Sequence, residues 1–251
     1  MWSRSLKRAF TRLSNGVDLL MHKVWQRKST KRAQNPQNPT ADISKISLLP
    51  RLPKNAVIVE VGGHVGNDSE EFALLFPEGT IHSFEPDPQN FLMHWKRTRW
   101  YTNVRQICAA VTDHPGVRLF HQSSGTHTAS GSLLEPTAHL DLIPEITFPT
   151  EIPVPCLTLD EYCQQLNISR IDLLWVDAQG AELLVLRGAK RMLSLTSFIY
   201  TEVNHLPLYA GGATYDVLKV ELASLGFTVV EEFLPEEWPY GNVLFSRAGG
   251  V

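Results

Sequence analysis

Short apolar runs rich in β-branched residues alternate along this chain with stretches of helical period, the pattern of a mostly parallel α/β sheet. Residues 56–61, AVIVEV, read as a buried strand that breaks at once into Gly62, Gly63 and Gly66, a tight turn opening a helix over 66–76. Pro77 and Gly79 end that helix, and 80–84, TIHSF, form the second strand. A helix over 88–98, a third strand over 103–110 and a short extra strand over 117–121 follow. Strand 151–157 leads to Thr158, an N-cap with Glu161 three positions on, as in a capping box. Residues 171–176, IDLLWV, are apolar almost throughout, as in a strand covered on both faces. Helix 180–193 places Val185, Gly188, Ala189 and Met192 on one side, and strand 197–203 and helix 213–225 come next. Strands 227–233 and 242–246 have no helix between them and are expected as an antiparallel hairpin. The expected fold is α/β and Rossmann-like: a mostly parallel seven-stranded sheet with an antiparallel C-terminal hairpin and helices on both faces.

Two stretches depart from this alternation. Residues 122–150 are rich in Ser, Thr and Gly and show no period. A segment that long inside a domain is either a functional cover or a surface insertion. It and its border carry His121, His127 and His139, whose spacing is not that of metal ligands, so no metal site is expected. Residues 2–27 have a helical period, with Trp2, Leu6, Ala9, Leu13, Val17, Leu20 and Val24 on one face and Arg4, Arg8, Arg12, Lys23 and Arg27 on others. Residues 28–40 are polar and proline-punctuated, a linker. The expected division is therefore 1–40, basic amphipathic helix plus linker, and 41–251, the sheet domain.

Charge sharpens that division. Residues 1–40 carry nine Lys/Arg against Asp18 alone, +8, whereas the rest carries 14 basic and 25 acidic residues, −11. The net −3 argues against a nucleic-acid partner. The basic helix suits packing on the domain or peripheral membrane contact, with an organellar transit peptide as the other reading. Cys108, Cys156 and Cys163 have no metal spacing and read as reduced thiols of a cytoplasmic protein. No apolar run reaches the length of a membrane span.

The candidate chemistry begins at the glycine turn. Glycines let a ligand approach the backbone, and the N–H groups opening the next helix favour polar or anionic groups. Glu85, at the tip of the second strand, can accept hydrogen bonds from both ribose hydroxyls of a nucleoside cofactor. Ligands of open α/β sheets sit at the carboxyl ends of the strands, which brings in Asp177 and, after the fifth strand, Glu202 and His205.

Several separated segments together resemble the FkbM-type S-adenosylmethionine-dependent methyltransferases, of the class I Rossmann-like group. They are VIVEVGGHVGNDS, HSFEPDPQNF, AAVTD, VPCLTLDEY and IDLLWVDAQGAELLVLRGAKRML, in order over residues 56–203. The resemblance implies S-adenosyl-L-methionine as cofactor. Its amino-acid end is expected on Glu60, Gly62, Gly63, His64 and Gly66, its ribose on Glu85, and Asp177 alongside. It also implies O-methylation of a hydroxyl on a small-molecule or glycan acceptor of sugar, lipid or polyketide type. Asp177, Glu202 and His205 are the candidate catalytic groups, since a base near the hydroxyl helps remove its proton. The chain departs from the family's K-I-D-x-E-G-A-E pattern at Trp175, where a lysine is usual, and at Gln179, where a carboxylate is usual. Gln179 can hydrogen-bond but carries no charge. Two other classes stay open on the residues alone. A nicotinamide-dependent oxidoreductase would share the glycine turn and Glu85, and an inactive methyltransferase-like binding module would account for Gln179 and Trp175.

Overall fold

The structure is a computed structural model and describes residues 45–125, 127–236 and 238–247, all within the unit Ile43–Val251. The helix and linker expected over 1–40 lie outside the described residues. Strand β1 (Val57–Val61) is central, parallel to β2 (Thr80–Phe84) on one side and β7 (Ile171–Val176) on the other. Strand β3 (Val104–Ile107) lies beyond β2. Beyond β7 come β8 (Thr196–Asn204), then β10 (Tyr240–Arg247), with β9 (Phe227–Phe233) at the edge. β10 runs antiparallel to both β8 and β9, as expected of the terminal hairpin.

Strand alternation divides the core in two. Val59, Val61, Leu174 and Val176 pack under α4 (Leu159–Gln165), α5 (Glu182–Arg187), α6 (Lys190–Leu193) and α7 (Tyr215–Ser224). Ile58, Leu173 and Trp175 pack on the other face under α1 (Asn67–Leu75) and the short 3₁₀ turn Lys45–Leu48. Helix α2 (Pro88–Thr98) lies beside α1, opened by Asp87, whose carboxylate accepts the N–H groups of Gln89 and Asn90. Thr158 does cap α4, accepting the Glu161 N–H at 3.2 Å.

Three expectations change. The third strand is two pieces, β3 and β4 (Ala110–Val111), and β4 leaves the main sheet for a second, three-stranded one. Helix 180–193 is broken into α5 and α6 at Gly188 and Ala189, and Gly188 lies so close under Thr112 that a Cβ would strike its carbonyl oxygen. Residues 122–150 are strand at both ends, where β5 (Gly116–Gly125) and β6 (Ile146–Leu157) form an antiparallel hairpin, and between them lies α3 (Ala138–Leu142).

Where the resemblance leads one to expect a lysine at position 175, an ammonium is still present, supplied from elsewhere. Lys45 Nζ lies 4.6 Å over the Trp175 ring, 3.0 Å from Asp68 Oδ1 and 3.4 Å from Glu71 Oε2. Its side chain is 3% exposed, so this cation depends wholly on protein partners. Lys45→Met keeps the length and removes the charge, leaving two partly hydrated acids facing each other. The expected loss is about 1–3 kcal/mol, less than for a fully buried pair. Urea unfolding measures it; a midpoint equal to the wild type's would show that the pair adds nothing.

Candidate active site

The carboxyl ends of β1, β2 and β7 open into one cleft, lined by Gly62, His64, Glu85, Asn90, Asp177 and Gln179 among others. Its floor is made by the turn after β1. Gly62 has φ +95°, and a Cβ there would run into the backbone oxygen of Asp177. A side chain would therefore fill the place where β1 and β7 come together, and only glycine leaves it open. His64 also has positive φ, +45°, and its N–H donates to Glu85 Oε2 at 2.7 Å. The other oxygen of Glu85 accepts the Asp87 N–H at 2.8 Å. Each oxygen of this carboxylate retains acceptor capacity, since a carboxylate offers about four lone-pair sites. Glu85 thus fits the ribose role expected of it, and the cleft residues fit a nucleoside cofactor.

Across the cleft, the turn between β7 and α5 is fixed from several sides. The Asp177 N–H donates to Val61 O at 2.9 Å. Glu182 Oε1 accepts the N–H groups of Ala178 and Gly180, both at 3.1 Å. Gln179 and Gly180 are both left-handed, with φ +51° and +91°. A non-glycine residue held there costs free energy and persists only where its surroundings impose it. Here Gln179 Nε2 donates to Asp177 Oδ1 at 2.6 Å and reaches Glu202 Oε1 at 3.5 Å.

Residues 128–133 roof the cleft and are pinned on both rims. Thr128 Oγ1 is 2.8 Å from His64 Nε2, and Thr128 O accepts from Asn90 Nδ2 at 3.0 Å. On the far rim Ser132 Oγ donates to Gln179 O at 2.7 Å, and the Tyr209 hydroxyl donates to Ser130 O at 2.8 Å. The same hydroxyl lies 3.1 Å from Gln179 Oε1. Burial pushes its pKa up, so it stays a neutral donor.

Gly62, His64, Glu85 and Asp177 therefore meet in the cleft, and Glu202 joins them through Gln179. Four expectations are corrected. Glu60 is 1% exposed and lies below the turn, where Ser69 Oγ donates to it; parity along β1 turns it toward α1. Gly63 and Gly66 do not line the cleft, and a Cβ at either would meet His94. His205 lies just beyond β8 with an exposed side chain near Pro235 O, and does not line the cleft. Tyr209, Asn90, Thr128, Ser130 and Ser132 were missed, because they lie in loops or helix starts without a motif. Among the described residues no group of three or more His, Cys, Asp or Glu side chains is placed to hold a metal.

Burial dominates the electrostatics. It raises Glu85 to about 8 and Glu182 to about 7, and raises Glu60 as well. It lowers His82 and His94 to about 4. The carboxyls hold protons in the fold that the unfolded chain releases near 4.5, so they cost stability as pH rises toward 8. The histidines stay neutral in the fold while the unfolded chain protonates near 6.5, so they cost stability as pH falls toward 4. The two losses overlap and oppose each other between about pH 4.5 and 6.5, and above 6.5 only the carboxyls act, so the urea midpoint of the protein alone is expected to fall from about pH 6.5 to 8. Glu85→Gln should flatten the alkaline side; an unchanged alkaline loss would remove Glu85 from this account.

Residues 60–229 match the methyltransferase FkbM domain. The chain is 33% identical over 188 residues to the 2-O-methyltransferase NoeI of Sinorhizobium fredii, covering 71% of this chain and 76% of that protein. It is 28% identical over 163 residues to Methyltransferase 1 of Beauveria bassiana, covering 58% and 63%. Among solved structures it is similar to an rRNA methylase from Streptococcus thermophilus, with TM-score 0.47, 13% identity, and 82% and 99% coverage. It is also similar to M. capricolum TrmK in complex with S-adenosyl-homocysteine, with TM-score 0.47, 8% identity, and 83% and 70% coverage.

Proposed function

The chain belongs to the FkbM methyltransferase family, whose cofactor is S-adenosyl-L-methionine, and from that premise we propose that it methylates a hydroxyl of a sugar-type acceptor bound over Asp177. The observation that carries the reading is the placement of Asp177 in the same cleft as Gly62 and Glu85, with Gln179 holding its carboxylate. The 2-O-methyltransferase relative supports oxygen as the methylated atom. The hydroxyl and amide groups of Thr128, Ser132 and Gln179 around the cleft suit an acceptor rich in hydroxyls.

When bound, the cofactor supplies a methyl group already activated on a sulfonium. The protein's part is to align the acceptor oxygen with it and to keep water out. Glu85 would hold the ribose hydroxyls and Gly62 would let the ligand lie against the backbone. Residues 128–133 cover the cleft, bound to both rims. Asp177 accepts the acceptor's hydroxyl proton as the new C–O bond forms, general-base help within a positioned site.

The test has two stages. S-adenosylhomocysteine should raise the melting temperature of the protein and NAD should not. Candidate sugars and glycans incubated with S-adenosylmethionine should then yield a product heavier by one methylene in the mass spectrum. Stabilisation by NAD alone would overturn the reading. So would a product methylated on nitrogen or carbon.

A further inference from the structure

The charge arrangement around Gln179 deepens this reading of the cleft and rests on it. Asp177, just past β7, and Glu202, in the neighbouring parallel strand β8, converge on one amide. Two carboxylates brought together disfavour each other's ionised forms unless a proton or a cation stands between them. Here the group between them is the Gln179 side chain. Its Nε2 can give one hydrogen to each acid, while its Oε1 is turned away toward the Tyr209 hydroxyl. The amide is not there by chance of rotamer. Its backbone sits at φ +51°, its carbonyl accepts from Ser132 Oγ, and the flanking N–H groups are taken by the buried Glu182.

We infer that Gln179 is the positioning residue of the acceptor site: its amide takes the place of a divalent cation between Asp177 and Glu202, so the pair is held without a metal. A carboxylate at position 179 would put three acids around one point, an oxygen-ligand set of the kind that suits Mn²⁺ or Mg²⁺. The amide supplies two short-range donors instead, which orient both acids and soften their repulsion. Asp177 is then available to take the proton of an acceptor hydroxyl.

The probe is Mn²⁺ alone, titrated by calorimetry into wild type, Gln179→Glu and Gln179→Ala at pH 8, with S-adenosylhomocysteine binding measured on each. Gln179→Glu should bind Mn²⁺ at least about tenfold more tightly than wild type, through the third carboxylate. Gln179→Ala should show no such gain. Adding Asp177→Asn to Gln179→Glu should abolish the gain, which places the ion at this cluster. Gln179→Ala should also lower the rate of methyl transfer to the acceptor at unchanged S-adenosylhomocysteine affinity, a split that a purely structural Gln179 would not produce. Wild type binding Mn²⁺ as tightly as Gln179→Glu, with that binding lost in Asp177→Asn, would overturn the inference. A folded Gln179→Glu protein with no gain would overturn it as well. Failure of S-adenosylhomocysteine to bind wild type would instead strike the methyltransferase reading and leave the Mn²⁺ comparison to be judged separately.

Discussion

Glu85→Ala is expected to weaken S-adenosylhomocysteine binding by at least tenfold while the protein still folds. Glu85 already spends part of its acceptor capacity on the N–H groups of His64 and Asp87, which fixes both oxygens at the cleft wall. What remains is aimed at a ligand. A hydrogen bond is worth about 0.5–1.5 kcal/mol, so losing the two to the ribose hydroxyls costs about tenfold in affinity. The fold should tolerate the change, because burial makes the charged form of Glu85 costly, raising its pKa to about 8. Removing it relieves that cost and strands two backbone donors, opposing effects of similar kind. Calorimetry on a variant with wild-type circular dichroism decides the matter. Unchanged affinity in that variant would remove Glu85 from the cofactor site.

The alternation of strands and helices was legible in the residues because each element buries one face, and period reports burial. The cleft was legible only in part. Gly62, Glu85 and Asp177 stand at strand ends, where the chain must turn, and strand ends are where such sheets bind. Glu60 shows the limit of reading a motif without its parity. It lies between Val59 and Val61, which pack on one side, so its own side chain goes to the other, with Ile58. His205 is just past the end of β8, where the chain has already turned toward Pro239. Lys45 comes to lie over Trp175 across more than a hundred residues, and no local pattern announces that. The same holds for Tyr209, which reaches Ser130 and Gln179 from a loop whose own residues have no period.

Asp177→Asn is expected to slow methyl transfer by about 10²–10⁴-fold, the usual range for losing acid–base help. The substitution keeps the side-chain shape and one oxygen able to accept from Gln179 Nε2, so the turn should hold. The backbone bond from Asp177 N to Val61 O is untouched, and so is the glycine turn opposite. S-adenosylhomocysteine affinity should therefore change by less than about threefold, well under the 1.4 kcal/mol that a tenfold change represents. That separation is the diagnostic feature: a cofactor-binding role would appear in affinity, a proton-accepting role in turnover alone. Single-turnover transfer to the acceptor, measured beside cofactor affinity, distinguishes them. A variant that methylates at the wild-type rate would move the proton acceptor away from Asp177, and Glu202, the other acid reached by Gln179, would then be the group to replace.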